Sequence, residues 1–192
     1  MKRYIRSDKY DELEVAEQRF SSRGTLSNDK SGKVPLIFRL VKFPPESLVL
    51  DYGGGSMRSE MVANEYLAQF DCEDVVYDLY NQTPEERQNA LDRIRVNDGA
   101  DVAICSNLLN VIAEESARMV ALRNIQKLTK PGAPVYFTMY EGSDKEAGSG
   151  IGRQTGKDQY QNNRRTADYL EEIRRIFPDA TRKGKLISAT NQ

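Results

Sequence analysis

The stretch Leu48-Val-Leu-Asp-Tyr-Gly-Gly-Gly55 decides the fold of this chain. Three apolar residues lead directly into an acidic residue and a glycine cluster, and a pattern typical of a helix follows over residues 58–70. A strand, a tight turn and a helix in this order place main-chain amide groups and a carboxylate at the carboxyl end of a strand. Open α/β sheets bind their ligands there. The stretch therefore predicts a nucleotide-like ligand at this turn.

Strand and helix patterns alternate along the rest of the chain. Thr83 and Pro84, with Glu86 three residues after the threonine, mark an unusually clear helix start. The alternation predicts a single-domain α/β protein with a Rossmann-like, doubly wound and mostly parallel sheet, in which the last strand pairs antiparallel with its neighbour through Gly184. Strands are predicted at residues 73–78, 100–106, 134–140 and 185–189, and helices at residues 83–98, 114–128 and 166–177.

The segments that flank the central α/β core differ from it in composition. Residues 1–47 predict a helical lead-in, with a short amphipathic helix near residues 13–20, a loop at 21–33 and a second helix from Val34 to Val41. The core covers residues 48–141. Residues 142–165 are rich in glycine, cations and amides and predict a loop that either binds substrate or is an ordinary flexible surface loop. Residues 166–192 supply the last helix and strand of the same domain.

Composition excludes several classes of function. The chain of 192 residues contains no histidine, which excludes catalytic triads with an imidazole base and the usual zinc hydrolases. Cys72 and Cys105 lie in apolar segments without metal-ligand spacing, so we expect two reduced core thiols and no metal site. No apolar run approaches the length of a membrane span, and the chain starts with charges rather than a signal peptide. A cytoplasmic protein is expected.

Charge is unevenly distributed along the chain. Residues 48–141 carry a net charge of −7, whereas residues 1–47 and 142–192 each carry +3. Two basic flanks folded over one face would form a rim suited to an anionic partner such as DNA or RNA. Scattered solvated charges explain the same numbers equally well, so composition leaves both interpretations open.

The turn at Asp51–Gly55 does not fit two common nucleotide motifs. No Gly-Lys-Ser/Thr follows it, so a triphosphate loop is excluded, and Arg58 stands where a dinucleotide motif needs its third glycine. Asp78 ends the second strand, and in a doubly wound sheet its carboxylate lies beside the first turn, where it can accept both hydroxyls of a ribose. An acid before the glycines would repel a pyrophosphate, so a ligand with a cationic end is predicted.

These motifs resemble those of the class I S-adenosylmethionine-dependent methyltransferases. Leu48–Gly55 is similar to the family's first motif, Val75–Asp78 to the second, Asp101–Ile112 to the fourth, and Leu128–Phe137 to the helix, Pro-Gly turn and strand that follow. The chain differs from the family pattern in two respects. Met57 occupies the place of a third glycine, and the family's third strand is missing between the second and fourth motifs. Within the family, the layout is most similar to methyltransferases associated with DNA phosphorothioation.

The resemblance implies S-adenosylmethionine as cofactor and assigns residues to it. Asn107 and Asn110 follow the third strand and would aim a substrate amine or base edge as catalytic residues, although helix capping before Ile112 explains them equally well. The residues implied in cofactor binding are Asp51, Tyr52, Gly53, Gly54, Gly55, Asp78, Tyr80 and Asn107.

The methyl acceptor cannot be read from the sequence. Family enzymes usually recognise their substrates through inserts and flanks, which directs attention to Arg153, Lys157, Arg164 and Arg165 in the glycine-rich segment. Such side chains suit phosphate and base contacts, so nucleic acid is one predicted substrate. A small-molecule methyltransferase and a non-catalytic S-adenosylmethionine-binding module of a modification complex are the alternatives. The oligomeric state is not predicted.

Overall fold

The computed structural model describes Tyr10, residues 13–23 and residues 32–192. Its main sheet has six strands, and they are β1 (Leu48–Tyr52), β2 (Glu73–Tyr77), β3 (Val102–Ser106), β4 (Pro134–Thr138), β7 (Thr181–Lys183) and β8 (Leu186–Thr190). Their order across the sheet is β2-β1-β3-β4-β8-β7. The first four are parallel, while β8 runs antiparallel to β4 and β7 antiparallel to β8. This confirms the predicted mostly parallel α/β sheet with an antiparallel C-terminal strand.

Helices cover both faces of this sheet. Two of them, α1 (Ile37–Leu40) and α2 (Met57–Leu67), pack on one face, and three pack on the other, namely α3 (Pro84–Val96), α4 (Glu115–Leu128) and α5 (Leu170–Arg174). The two apolar cores are therefore separated by the sheet, as a doubly wound fold requires. Thr83 caps α3 in a full capping box with Glu86, as predicted. None of the described helices is long and apolar enough to cross a membrane.

The flanking segments depart from their predictions in three places. Residues 13–18 form no helix, because Asn124 of α4 binds both main-chain groups of Glu14 at 2.8 and 3.1 Å and holds the segment extended. The second lead-in helix is confined to α1. The glycine-rich segment contains a β-hairpin, made of β5 (Gly152–Gly156) and β6 (Gln159–Asn162). Residues 24–31 of the predicted first loop lie outside the described residues.

Among the described residues, no strand pairs with the outer edge of β2, as expected from the missing third strand. Asp74, Val76 and Asp78 turn main-chain groups toward this edge, and side chains bind them. Asn64 of α2 accepts a hydrogen bond from Asp74 N at 2.7 Å and donates one to Asp74 O at 3.4 Å. Glu60, one turn earlier, accepts a hydrogen bond from Val76 N at 3.0 Å. The helix therefore takes the place of a neighbouring strand.

Two more side chains, one before α3 and one within it, bind main-chain groups at the same edge of β2. Gln82 donates to Val76 O at 3.0 Å and accepts from Asp78 N at 2.9 Å. Arg93 donates to Asp74 O at 2.7 Å. A free strand edge is a template for pairing with another chain, and an edge whose groups are already bonded is not. We call these four side chains, Glu60, Asn64, Gln82 and Arg93, the edge clamp.

We expect Asn64→Ala to lower the free energy of unfolding by about 1–3 kcal/mol, because the buried Asp74 N–H loses its acceptor. Urea denaturation of the purified chain measures the change. Glu65→Ala, an exposed position on the same helix, is the matched control and should change the free energy of unfolding much less. Equal losses in the two variants would show that the edge clamp does not stabilise β2.

Candidate functional site

The turn after β1 has the backbone that its glycines allow. Gly53 and Gly55 adopt φ angles of +76° and +104°, which side-chain-bearing residues rarely adopt. Gly53 N donates to Tyr77 O of the neighbouring strand at 2.8 Å. Ser56 then caps α2 by accepting a hydrogen bond from Arg58 N at 3.2 Å. The turn is therefore fixed to β2 on one side and to the start of α2 on the other.

Two glycines of this turn permit close approaches. A Cβ atom on Gly53 would lie 2.6 Å from the Leu108 side chain, and a Cβ atom on Gly54 would collide with the Asp51 carboxylate. Glycine at these two positions thus lets Leu108 and Asp51 pack directly against the main chain. The sequence analysis assigned the glycines to cofactor binding and did not identify Leu108.

Asp51 lies at the carboxyl half of β1 with a buried carboxylate. Its side chain lines a cavity beside the turn, and among the described residues Oδ1 has no hydrogen-bond partner. Burial, together with the neighbouring carboxylates of Asp78 and Glu60, raises the pKa of Asp51 to about 7. The Asp51 carboxylate therefore lacks a hydrogen-bond donor or a cation that would stabilise its charge.

Asp78 organises the loop after β2. One carboxylate oxygen accepts hydrogen bonds from Tyr80 N at 2.9 Å and Asn81 N at 2.8 Å, and the other accepts from Gly55 N at 3.1 Å. The predicted adjacency of Asp51 and Asp78 is thus present in the structure, and Asp78 also joins the two loops that form the site. Asn81 Nδ2 also donates to both oxygens, at 3.2 and 3.1 Å, so the roughly four lone-pair positions of the carboxylate are already filled, and a further donor must replace the Asn81 side chain.

The two predicted aromatic residues occupy different positions. Tyr52 is buried, accepts a hydrogen bond from Asn124 at 3.1 Å and stacks on Tyr77 with ring centroids 5.7 Å apart, so it forms a wall. Tyr80 lines the space beside Asp78. Burial raises the pKa of Tyr80, which keeps the phenol protonated at neutral pH.

Two small cavities meet at this turn. One, of about 50 Å³, is bounded by Tyr52, Tyr77 and apolar residues of α4, and the other, of about 90 Å³, by Asp51, Gly54 and Asn107. Both touch Gly53, Asp78, Tyr80 and Leu108. The first has the apolar, aromatic lining that suits a flat ring, and the second has the carboxylates. Together they form the candidate cofactor site.

Residues 20–23, which we call the strap, cross above these cavities. Ser21 N donates to the Asp158 carboxylate at 3.0 Å, and Ser21 Oγ donates to the same group. Ser22 Oγ donates to Val111 O at 3.1 Å, and Arg23 Nε donates to Tyr80 O at 2.6 Å. The strap thus joins the loop after β2 to the β5–β6 hairpin.

The predicted catalytic asparagines lie beside a third cavity of about 410 Å³. Asn107 is exposed, lines this cavity and the 90 Å³ cavity, and has a φ angle of +55°. Asn110 is buried, donates to Gln161 at 3.1 Å and accepts from Tyr140 N at 3.4 Å. Asn107 therefore occupies the boundary between cavities, and Asn110 joins the hairpin to the segment after β4. Neither caps the helix that follows.

Only one of the four predicted substrate-binding cations lines the third cavity. Arg153 does so, paired with Glu146 at 2.9 Å. Lys157 lies in the hairpin turn, and Arg165 is exposed and packs against Gly148. Arg164 pairs with Glu172 at 2.6 Å and lies over the Tyr169 ring at 4.4 Å, among residues that hold α5. The structure does not bring these cations together into one basic surface.

Neither the strap nor the β5–β6 hairpin was predicted from the sequence. Phe20 and Tyr160 stack with ring centroids 5.6 Å apart, although 140 positions separate them. Polar residues on both sides of Gly156-Lys157-Asp158 are compatible with a hairpin, and that local signal was available. No local signal pairs Ser21 with Asp158.

We compared the chain with known protein families, curated proteins and solved structures. No family model and no curated protein matches the chain. Human N-acetylserotonin methyltransferase, solved in complex with S-adenosylmethionine, is similar with a TM-score of 0.53 and 16% identity over 86% of this chain and 52% of its own. The glycopeptide N-methyltransferase MtfA has a TM-score of 0.51 and 11% identity, over 88% of this chain and 93% of its own.

A third solved structure, the S-adenosylmethionine-dependent methyltransferase SibL, has a TM-score of 0.50 and 14% identity, over 95% of this chain and 64% of its own. The chain thus spans about half the length of the human enzyme (52%) and less than two thirds of SibL (64%). Identities this low make the likeness one of fold. The fold is that of the class I S-adenosylmethionine-dependent methyltransferases.

Proposed function

We propose that this chain is an S-adenosylmethionine-dependent methyltransferase that binds its cofactor between the turn after β1 and the loop after β2. The observation that carries the proposal is the buried Asp51 carboxylate, which has an oxygen without a hydrogen-bond partner among the described residues and lies beside Asp78. This site lies at the carboxyl ends of two parallel strands, where an α/β sheet binds its ligands.

The residues present fit the parts of this cofactor. Asp51 would hold the cationic methionine end, because the ammonium group supplies the donor that Oδ1 lacks. Gly53 and Gly54 line the 90 Å³ cavity, and the positive φ angles of Gly53 and Gly55 give the turn a shape in which its main chain can contact the ligand. Asp78 would bind the ribose in place of the Asn81 side-chain amide, and Tyr80 would lie against the adenine in the space lined by aromatic and apolar side chains.

Methyl transfer requires the cofactor and the acceptor to be aligned more than it requires a group that transfers protons. Bound S-adenosylmethionine supplies a methyl group on a sulfonium, which a nucleophile displaces in line. Holding two reactants in such a geometry contributes about 7–11 kcal/mol to lowering a barrier. Asn107 lies between the 90 Å³ and 410 Å³ cavities and would orient the acceptor toward the methyl group. The absence of histidine from the chain is compatible with this mechanism.

For the acceptor, the charges favour a small molecule over nucleic acid. Of the predicted substrate cations, Arg153 and Arg164 are bound by carboxylates, which leaves fewer cations for phosphates. A non-catalytic cofactor-binding module, which the missing third glycine at Met57 would suit, differs from an enzyme in one respect. It would bind S-adenosylmethionine without yielding any methylated product in a single turnover.

The first test is a calorimetric titration with S-adenosylmethionine and, separately, with NAD. We expect micromolar affinity for the first ligand alone. In Asp78→Ala this affinity should fall about tenfold or more, or about 1.4 kcal/mol, because the ribose loses its acceptor and Gly55 loses its anchor. Glu85→Ala, an exposed position on α3, is the control and should bind as the unmodified chain does. Tighter binding of NAD would exclude the proposal.

The Asp51 carboxyl makes cofactor affinity depend on pH. Its pKa of about 7 means that it is protonated below neutrality, whereas the cationic ligand requires the ionised form. We therefore expect affinity to rise from about pH 5.5 to about pH 7, with proton release on binding that calorimetry in buffers of different ionisation enthalpy detects. Asp51→Asn should bind more weakly and lose this dependence. A flat profile in the unmodified chain would contradict the assignment.

The strap controls access to the cofactor site. The two cavities of the cofactor site, of about 50 and 90 Å³, are smaller than the roughly 300 Å³ of a typical ligand site. The strap and Leu108 must therefore shift to admit a nucleoside. We expect Asp158→Ala to raise both the association and dissociation rates of S-adenosylmethionine by about tenfold, because the strap loses its hydrogen bonds to this carboxylate. Surface plasmon resonance measures both rates. Unchanged rates would show that the Ser21–Asp158 contact does not limit access.

A further inference from the structure

The 410 Å³ cavity beside Asn107 has a distinct chemical character. It lies between the end of β3 and the β5–β6 hairpin, and its volume is within the range of sites for small organic ligands. Carboxamides and phenols dominate its polar lining, contributed by Asn107, Asn110, Tyr140, Tyr160, Gln161 and Asn163. Such groups offer both donors and acceptors and carry no charge at neutral pH.

This cavity adjoins the candidate cofactor site. Asn107 and Val111 line both it and the 90 Å³ cavity that contains Asp51. Asn107 N donates to Thr138 O at 2.8 Å, which holds the residue at its positive φ angle between the two spaces. Residues with left-handed backbone that are fixed by their surroundings are frequent at functional sites. A molecule in the larger cavity would thus lie next to one bound at the turn.

Among the described residues, the cavity wall has one charged side chain, and a carboxylate pairs with it. Arg153 pairs with Glu146 Oε1 at 2.9 Å, and Glu146 Oε2 accepts a hydrogen bond from Asn163 at 3.3 Å. Moving an anion out of water costs free energy unless a counter-charge replaces the lost hydration. Because Glu146 already pairs with Arg153, a carboxylate or phosphate would have to compete with Glu146 for the counter-charge in this wall.

The same wall offers no strong base. None of its side chains is a carboxylate, a thiol, an imidazole or an amine. An acceptor bound there must therefore present a lone pair at neutral pH without first giving up a proton. Neutral ring nitrogens and aromatic amines satisfy this condition, whereas alcohols do not.

Gln161 Nε2 already donates to Tyr140 O and Asn162 O, whereas Gln161 Oε1 accepts from Asn110 Nδ2 and has a second lone pair to offer. Building on the proposed function, we propose that the acceptor is a small uncharged nitrogen heterocycle or heteroaromatic amine with an amide-like edge, bound in this cavity by the Asn107 carboxamide and by Gln161 Oε1. The nitrogen lone pair forms the new N–CH₃ bond as the S–CH₃ bond breaks, and that bond's electron pair stays on sulfur. The positive charge passes from sulfur to nitrogen. Where the nitrogen carries a hydrogen, its proton then leaves to water.

The test compares two probes of one shape, isonicotinamide and its carboxylate analogue isonicotinate. Each is titrated into the ¹⁵N-labelled full chain with S-adenosylhomocysteine present, and side-chain amide resonances report occupancy of the cavity. We expect isonicotinamide to shift the Asn107 and Gln161 resonances and to bind about tenfold more tightly than isonicotinate.

Glu146→Gln sharpens the comparison. The variant keeps the size of the side chain and releases the Arg153 charge, so it should shift the relative affinity toward isonicotinate by about tenfold. Glu171→Gln is the matched control, because Glu171 forms a similar exposed ion pair with Arg174 away from the cavity. The control should leave the preference between the probes unchanged.

Three results would overturn the inference: isonicotinate binding the unmodified chain as tightly as isonicotinamide, neither probe shifting the cavity resonances, or a single-stranded oligonucleotide displacing isonicotinamide. Failure of the proposed function is a separate outcome. It would appear as no binding of S-adenosylmethionine in calorimetry, whatever the two probes do.

Discussion

The structure depends on the side chains that form hydrogen bonds with the main-chain groups at the outer edge of β2. In a sheet without a strand at that position, Glu60, Asn64, Gln82 and Arg93 bind the main-chain groups that a neighbour would bind. Gln82 also accepts a hydrogen bond from Asp78 N, so the edge clamp ends at the residue that anchors Gly55. The position of the candidate cofactor site therefore follows from the same hydrogen bonds that end the sheet.

This arrangement concentrates acids in a dry region. Both carboxylate oxygens of Asp74 are buried without a hydrogen-bond partner among the described residues. Burial, with the nearby carboxylates of Asp51 and Glu60, raises the pKa of Asp74 well above its usual value. A carboxyl group whose pKa rises on folding destabilises the fold as pH increases from its unfolded to its folded pKa, because the folded state then holds a proton that the unfolded state has lost. Arg93 offsets part of this repulsion through Glu60.

Local signals made the core of the fold predictable. The capping box at Thr83, the apolar runs and the glycine turn each lie within a few residues, and the parallel sheet then brings Asp51 and Asp78 together. The strap could not be predicted in this way, since Ser21 and Asp158 are 137 positions apart and neither lies in a motif. A short helix near residues 13–20 was predicted from the apolar spacing, yet Asn124 holds Glu14 extended because tertiary hydrogen bonds outweigh a weak local preference.

The hairpin joins the two halves of the candidate site. Tyr160 lines the 410 Å³ cavity and also stacks on Phe20 of the strap, with nearly parallel rings at 14°. Tyr160 N donates to Ser22 Oγ at 3.3 Å, so the hairpin and the strap share both an aromatic and a polar contact. A displacement of the strap that admits a nucleoside must therefore disturb a wall of the larger cavity. Cofactor binding before acceptor binding is the order that this connection favours, because the acceptor then meets a wall that is already in place.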